Sequence, residues 1–78
     1  MSYRTLQWKV LEEVGGIEEG SAWTLEVNII SWDGKPPKID VRRWNEAKDK
    51  MSKGLSFTKA EVEALIPLLK DAVSKMKD

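Results

Sequence analysis

Apolar and polar positions alternate along the first half of the chain with the period of two that marks a half-buried strand. From Thr5 to Leu11, Leu6, Trp8 and Val10 point to one side and Thr5, Gln7 and Lys9 to the other. At residues 12–22 Gly15, Gly16, Gly20 and Ser21 stand among acids, the alternation stops, and a loop is predicted. It resumes from Trp23 to Trp32, with Trp23, Leu25, Val27 and Ile29 on one face and Thr24, Glu26, Asn28, Ile30 and Trp32 on the other. Asp33-Gly34 then supplies the two positive-φ positions of a type I′ turn, and Pro36-Pro37 closes the loop. A third strand follows from Lys38 to Trp44, with Ile39 and Val41 set against Lys38, Asp40, Arg42 and Trp44. Residues 45–52 are polar and charged and read as a solvated loop, and Lys53 to Phe57 as a short fourth strand that contributes Leu55 and Phe57 to the core.

The period then changes. Thr58-Lys59-Ala60-Glu61 fits a capping box, so a helix should begin there. Val62, Leu65, Ile66, Leu69, Val73 and Met76 recur at helical spacing and form one apolar stripe. Pro67 removes the bond to the Glu63 carbonyl, but the stripe stays in phase beyond it, so a kink is expected rather than an end. The expected fold is α+β: a four-stranded curved antiparallel sheet followed by one C-terminal helix, β-β-β-β-α, forming one domain over residues 1–78. The helix should cover the face bearing Leu6, Trp8, Leu25, Val27, Ile29, Ile39, Val41, Leu55 and Phe57.

Length and composition sharpen this picture. A 78-residue chain buries only about 60% of the surface its unfolded form exposes, and Cys and His are both absent, which closes the disulfide and imidazole routes to extra stability. A second subunit becomes the natural support. A further apolar stripe, Ala64, Leu68 and Ala72, widens the helical face beyond what one sheet covers and points to a homodimer. The same absences remove Cys–His and Ser–His–Asp chemistry and thiolate or imidazole metal sites. An enzyme would have to use acids such as Glu12-Glu13 or Glu18-Glu19, and adjacent glutamates more often mark a solvated surface. No catalytic residue, metal, cofactor or small-molecule substrate is therefore expected. No run of about eighteen apolar residues and no signal-like N-terminus is present, so no membrane partner and a cytoplasmic location are expected.

The 13 basic and 13 acidic residues cancel in total but not in distribution. Residues 11–26 carry five acids and no base; residues 35–53 carry seven bases and three acids. On the uncovered face, alternation places Trp32 and Trp44 with Lys9, Asn28, Lys38 and Arg42. Aromatic rings interleaved with cations on an open sheet suit single-stranded nucleic acid, because bases stack on ring faces while phosphates pair with Lys and Arg. A strand-end tryptophan can equally tuck under a loop or fill a subunit contact, and an exposed strand lysine can simply protect an edge. The same surface also fits a protein-interaction module, since tryptophan and arginine are enriched at binding hot spots.

The stretch Ile39-Asp40-Val41-Arg42-Arg43-Trp44, followed after a charged loop by Lys53-Gly54-Leu55-Ser56-Phe57 and a helix, resembles the C-terminal domain of the transcriptional coactivator positive cofactor four, and its short bacterial relatives above all. The resemblance runs from about Leu6 to Leu69. It implies a homodimer that binds single-stranded DNA, with RNA as the alternative, across its sheets and with little sequence preference. By position, Trp44 matches the family's stacking tryptophan and Arg42 its strand-three arginine. Trp32 stands where relatives carry an aromatic in the hairpin, Lys35, Lys38 and Lys53 match basic positions, and Asp40 is acidic in the family as well. Two departures from the eukaryotic coactivator leave coactivation outside what the resemblance implies: one fewer residue between arginine and tryptophan, and no long basic or serine-rich arm before the sheet.

Overall fold

A computed structural model describes residues 7–20 and 22–77. Thr5 and Leu6, expected to open the first strand, and Ser21 of the expected loop lie outside the described residues. The strands are β1 (Trp8–Glu18), β2 (Trp23–Trp32), β3 (Lys38–Asn45) and β4 (Leu55–Phe57), and the helix is α1 (Lys59–Lys75). All four strands form one antiparallel sheet in the order β1-β2-β3-β4.

The second and third strands follow their alternation closely, and the turn between them has the expected chemistry. Asp33 and Gly34 adopt φ of 49° and 73°, and the Lys35 amide donates to the Trp32 carbonyl at 2.8 Å. Asp33 also holds the start of the sheet: its amide donates to the Gln7 carbonyl, and its carboxylate accepts from the Gln7 amide.

β1 departs from expectation. It does not end at Leu11 but continues through the acidic and glycine-containing stretch to Glu18. Register shifts between Val10 and Glu12 and between Glu13 and Gly15 each leave an extra residue on β1, Leu11 and Val14. Such bulges break the period of two while the pairing goes on. Gly16 lies against β2, where an added Cβ would meet Thr24 Cγ2 at 3.0 Å and the Leu25 carbonyl at 3.2 Å.

The register also corrects which face β1 contributes to. Trp8 pairs with Trp32 and Val10 with Ile30, so both lie on the Trp32 face and not with Leu25 and Val27. Lys9 pairs with Ser31 and lies on the opposite face from Trp32, where alternation had not put it. In-strand alternation is correct in β1, but only the pairing with β2 decides which side is which.

Trp8 and Trp44 reveal how strongly the sheet coils. Trp8 stands opposite Trp32 and Trp44 opposite Thr24, eight positions apart along β2 (32 less 24). In a straight strand that is about 26 Å at roughly 3.3 Å per residue. The two indole centroids are nevertheless 6.2 Å apart. The sheet therefore wraps around this face, and the residues nearest its axis, Glu26, Asn28, Ile30, Asp40 and Trp44, are buried.

α1 begins as expected. Thr58 Oγ1 accepts from the Glu61 amide, and the Glu61 carboxylate accepts from the Thr58 amide at 2.7 Å. The helix runs on through Pro67 to Lys75. It does not cover the apolar sheet face: among the described elements it packs against β3 and β4 alone, half-burying Val62 and Leu65, while Ile66, Leu68, Leu69, Val73 and Met76 stay exposed. Leu25, Val27 and Val41 consequently line an open apolar groove of about 240 Å³ with Val14 and Ile17. The radius of gyration is 14.8 Å, against about 11–12 Å for a compact chain of this length.

Candidate nucleic-acid interface

The wrapped face is organised around Asp40, which is fully buried. A buried carboxylate is tolerated only when its oxygens are paired, and here both are. Arg42 Nε donates to Oδ2 at 2.6 Å and Arg42 Nη2 to Oδ1 at 2.7 Å, a two-pronged ion pair. Ser56 Oγ, delivered by β4 directly opposite Asp40, donates to Oδ1 at 2.7 Å. Trp32 Nε1 in turn donates to Ser56 Oγ at 3.1 Å. The Arg42 guanidinium, thus oriented, lies over the Trp32 ring with its central carbon 4.7 Å from the centroid, within cation–π range. One aspartate sets the position of both the arginine and the tryptophan.

Gly54 makes this arrangement possible. A Cβ there would collide with the Arg42 Cβ and would meet the Val41 carbonyl oxygen at 2.5 Å, so β4 can approach Arg42 this closely only through a glycine. Here lies the physical content of the Lys53-Gly54-Leu55-Ser56 stretch: the glycine admits the strand and the serine completes the Asp40 network.

A second cluster occupies the other end of the face. The turn after β3 is tied by Asn45, whose side-chain oxygen accepts from the Asp49 and Lys50 amides. Lys48 takes φ of 62° and places Nζ 2.5 Å from Glu26 and 3.6 Å from Glu13. The hydrogen bond to Glu26 holds the Lys48 ammonium above the usual lysine range, against the opposing effect of burial. Asn28 Nδ2 donates to Glu26 at 3.3 Å. Asn28 Oδ1 and Trp44 Nε1 are buried without a hydrogen-bond partner among the described residues. On the other face Arg43 pairs with Glu19 at 2.7 Å, which lowers the Glu19 carboxyl and raises the arginine.

The residues singled out from the sequence fall in different places. Trp32 and Arg42 are in direct contact. Lys38 lies on the same face opposite Ile30 and is exposed, Lys35 is exposed in the β2–β3 turn, and Lys53 is exposed just before β4. Asn28 is on this face but buried. Trp44 is there too, but only 2% exposed, so it belongs to the interior of the wrap and not to an open surface. Lys9 is separated from them on the opposite face. The sequence pattern does not point to Trp8 and the Asp40–Ser56 pair, which strand pairing brings to this face, or to Lys48, which the turn after β3 brings there. Among the described residues no group of three or more acids could hold a metal ion, and no helix is long and apolar enough to cross a membrane.

The chain is thus an α+β unit, a curved antiparallel sheet and one helix, with Trp32 and Arg42 stacked on one sheet face beside the exposed Lys38. Residues 20–68 match the family described as Transcriptional Coactivator p15 (PC4), and the chain belongs to that family. Members of the family are nucleic-acid-binding, non-enzymatic proteins known for binding single-stranded DNA and for coactivation. The chain is also 50% identical over 50 residues to an uncharacterized protein of Treponema pallidum (strain Nichols), a match that covers 64% of this chain and 59% of that protein.

Proposed function

We propose that this protein binds single-stranded DNA on the wrapped sheet face, with little sequence preference, as a cytoplasmic, non-catalytic homodimer that serves transcription or DNA maintenance. The observation that carries the reading is the Trp32–Arg42 pair, a half-exposed indole with a fixed guanidinium against it, on the face that also carries Lys38. Base stacking on an aromatic ring is sequence-tolerant because every base has a π-face. Lys35, Lys38 and Lys53 are exposed and supply mobile charge for phosphates. Arg42 spends two donors on Asp40, so its contribution to a strand is through the shape and charge of the stack as well as by direct pairing.

The dimer is supported by the unpartnered apolar surface. The groove beside Leu25 and Val27 and the helix face of Ile66, Leu69 and Val73 lie open in one chain, and exposed apolar surface of this kind marks an interaction site. A second copy buries both at once. Sedimentation should give a dimer at micromolar concentration, and a folded monomer there contradicts it.

Titration with labelled oligo-dT, oligo-U and duplex at two salt concentrations tests the activity. Oligo-dT should bind more tightly than duplex, with affinity falling as salt rises by about 0.7 log units per log unit of salt for each phosphate neutralised. Equal affinity for oligo-U would extend the reading to RNA. Absence of binding to all three nucleic acids would leave the same aromatic face as a protein-interaction site, whose affinity barely responds to salt.

A further inference from the structure

We infer that Trp8 is a base-stacking residue of this interface and that Trp44 is the buried support beneath it. The inference rests on the single-strand reading of the wrapped face and adds the ring that a strand meets beside Trp32. The register sets Trp8 directly opposite Trp32, and their ring centroids are 6.4 Å apart with planes inclined at 48°. Trp8 also leans on Trp44 at 6.2 Å and 55°. Of these two, Trp44 keeps 2% of its surface and Trp8 keeps 39%. A base approaching this end of the face meets the Trp8 ring, because Trp44 has no accessible ring face to offer.

The space beneath Trp8 supports the same division of roles. Trp8, Val10, Asn28, Trp44 and Lys48 border a cavity of about 50 Å³. The unpaired Trp44 Nε1 and Asn28 Oδ1 belong to residues that line it, a donor and an acceptor. Such a volume suits a few water molecules bridging polar groups and is too small for a nucleobase. A base is therefore met at the outer face of Trp8 and does not enter under it. Lys48, drawn to this end by Glu26 and Glu13, offsets carboxylates that would otherwise repel the phosphate beside that base.

The extended face so formed, Trp8 beside Trp32 with Arg42 against Trp32, holds two ring platforms from neighbouring strands. Two adjacent bases need two accessible π-faces, and these two rings are the half-exposed or exposed indoles of the wrapped face.

The test compares oligo-dT affinity, by anisotropy of a labelled oligonucleotide, for Trp8→Leu, Trp8→Phe and Trp32→Ala, each checked by circular dichroism and thermal melting. Leucine keeps apolar volume over Trp44 but has no π-face. Trp8→Leu should therefore weaken binding by about 5- to 150-fold, the range for losing one stacked base. Trp8→Phe should recover most of the affinity with the melting temperature of Trp8→Leu or lower, which a packing role would not produce. If Trp8→Leu binds like the parent while Trp32→Ala is weakened, the inference is overturned and the single-strand reading stands. If neither is weakened, the reading of the face itself fails. A measurement on the unaltered protein gives an independent answer: intermolecular NOEs from thymine protons to the Trp8 ring are expected, and NOEs to Trp32 without any to Trp8 would overturn the assignment.

Discussion

Glu26, Asn28, Asp40 and Trp44 are closed to solvent on one face of the sheet, while Leu25, Val27, Ile29 and Val41 are only half-buried on the other. The usual order is reversed: within one chain the polar face is the interior and the apolar face the surface. The difference comes from curvature. Coiling brings the strands together over the Trp8–Trp44 contact, and the carboxylates buried there, Asp40 and Glu26, are paired by Arg42, Ser56 and Lys48. The convex apolar face opens by the same coiling, and a single helix docked through Val62 and Leu65 at one edge cannot close it. In the proposed reading the first face is assigned to a nucleic-acid strand and the second to another copy of the chain.

The largest expected effect comes from removing the centre of the wrap. Trp44→Ala should cost about 3–5 kcal/mol of stability in urea unfolding, the range for deleting a large buried aromatic side chain. A cost below that of truncating Val27 on the open face would break the comparison between interior and surface.

Asp40→Ala comes next. It leaves the Arg42 guanidinium half-buried without its carboxylate, and should cost about 3 kcal/mol, at the lower end for an uncompensated buried charge since Arg42 keeps 13% exposure. The same variant should release Arg42 from Trp32, which tryptophan fluorescence would register as a change in emission. An unchanged urea midpoint would show that the polar network is not what holds the wrap closed.

The open face should behave differently in kind. Val27→Ala and Leu69→Ala are expected to cost about 1–3 kcal/mol each only where chains associate, so their melting temperatures should depend on protein concentration more steeply than that of Trp44→Ala. Equal, concentration-independent losses would mean that the apolar face is closed by the chain itself.

The smallest effects are those of pH. The Lys48 ammonium is raised above its ordinary 10.5 by Glu26, so its contribution is complete below that value and is lost only as pH rises through the higher folded-state pKa. The Glu61 carboxyl is lowered from 4.5 by the Thr58 amide and hydroxyl, so its contribution is complete above that value and is lost as pH falls through the lower folded-state pKa. Stability should accordingly be flat around neutrality, with shallow losses in strong acid and strong alkali. A transition between pH 6 and 8 would point to a group outside these pairs.

Much of the fold was written locally. Alternation alone delimited β2, the Asp33-Gly34 pair specified its turn, and Thr58 with Glu61 marked the start of α1, because each depends on residues within a few positions of one another. The parity that groups Trp32, Arg42 and Trp44 was also legible, since β2 and β3 pair without a bulge. What local pattern could not carry was any relation that passes through strand pairing or sheet curvature. The bulges at Leu11 and Val14 disguised the second half of β1 as a loop, and the face of Trp8 and Lys9 was undetermined until β1 met β2. Curvature then decided that Trp44 lies inside and Trp8 outside, although the two residue types are identical. Periodicity states which side chains share a side of one strand; which side is buried depends on how far the assembled sheet bends, and that is a sum over all its strands.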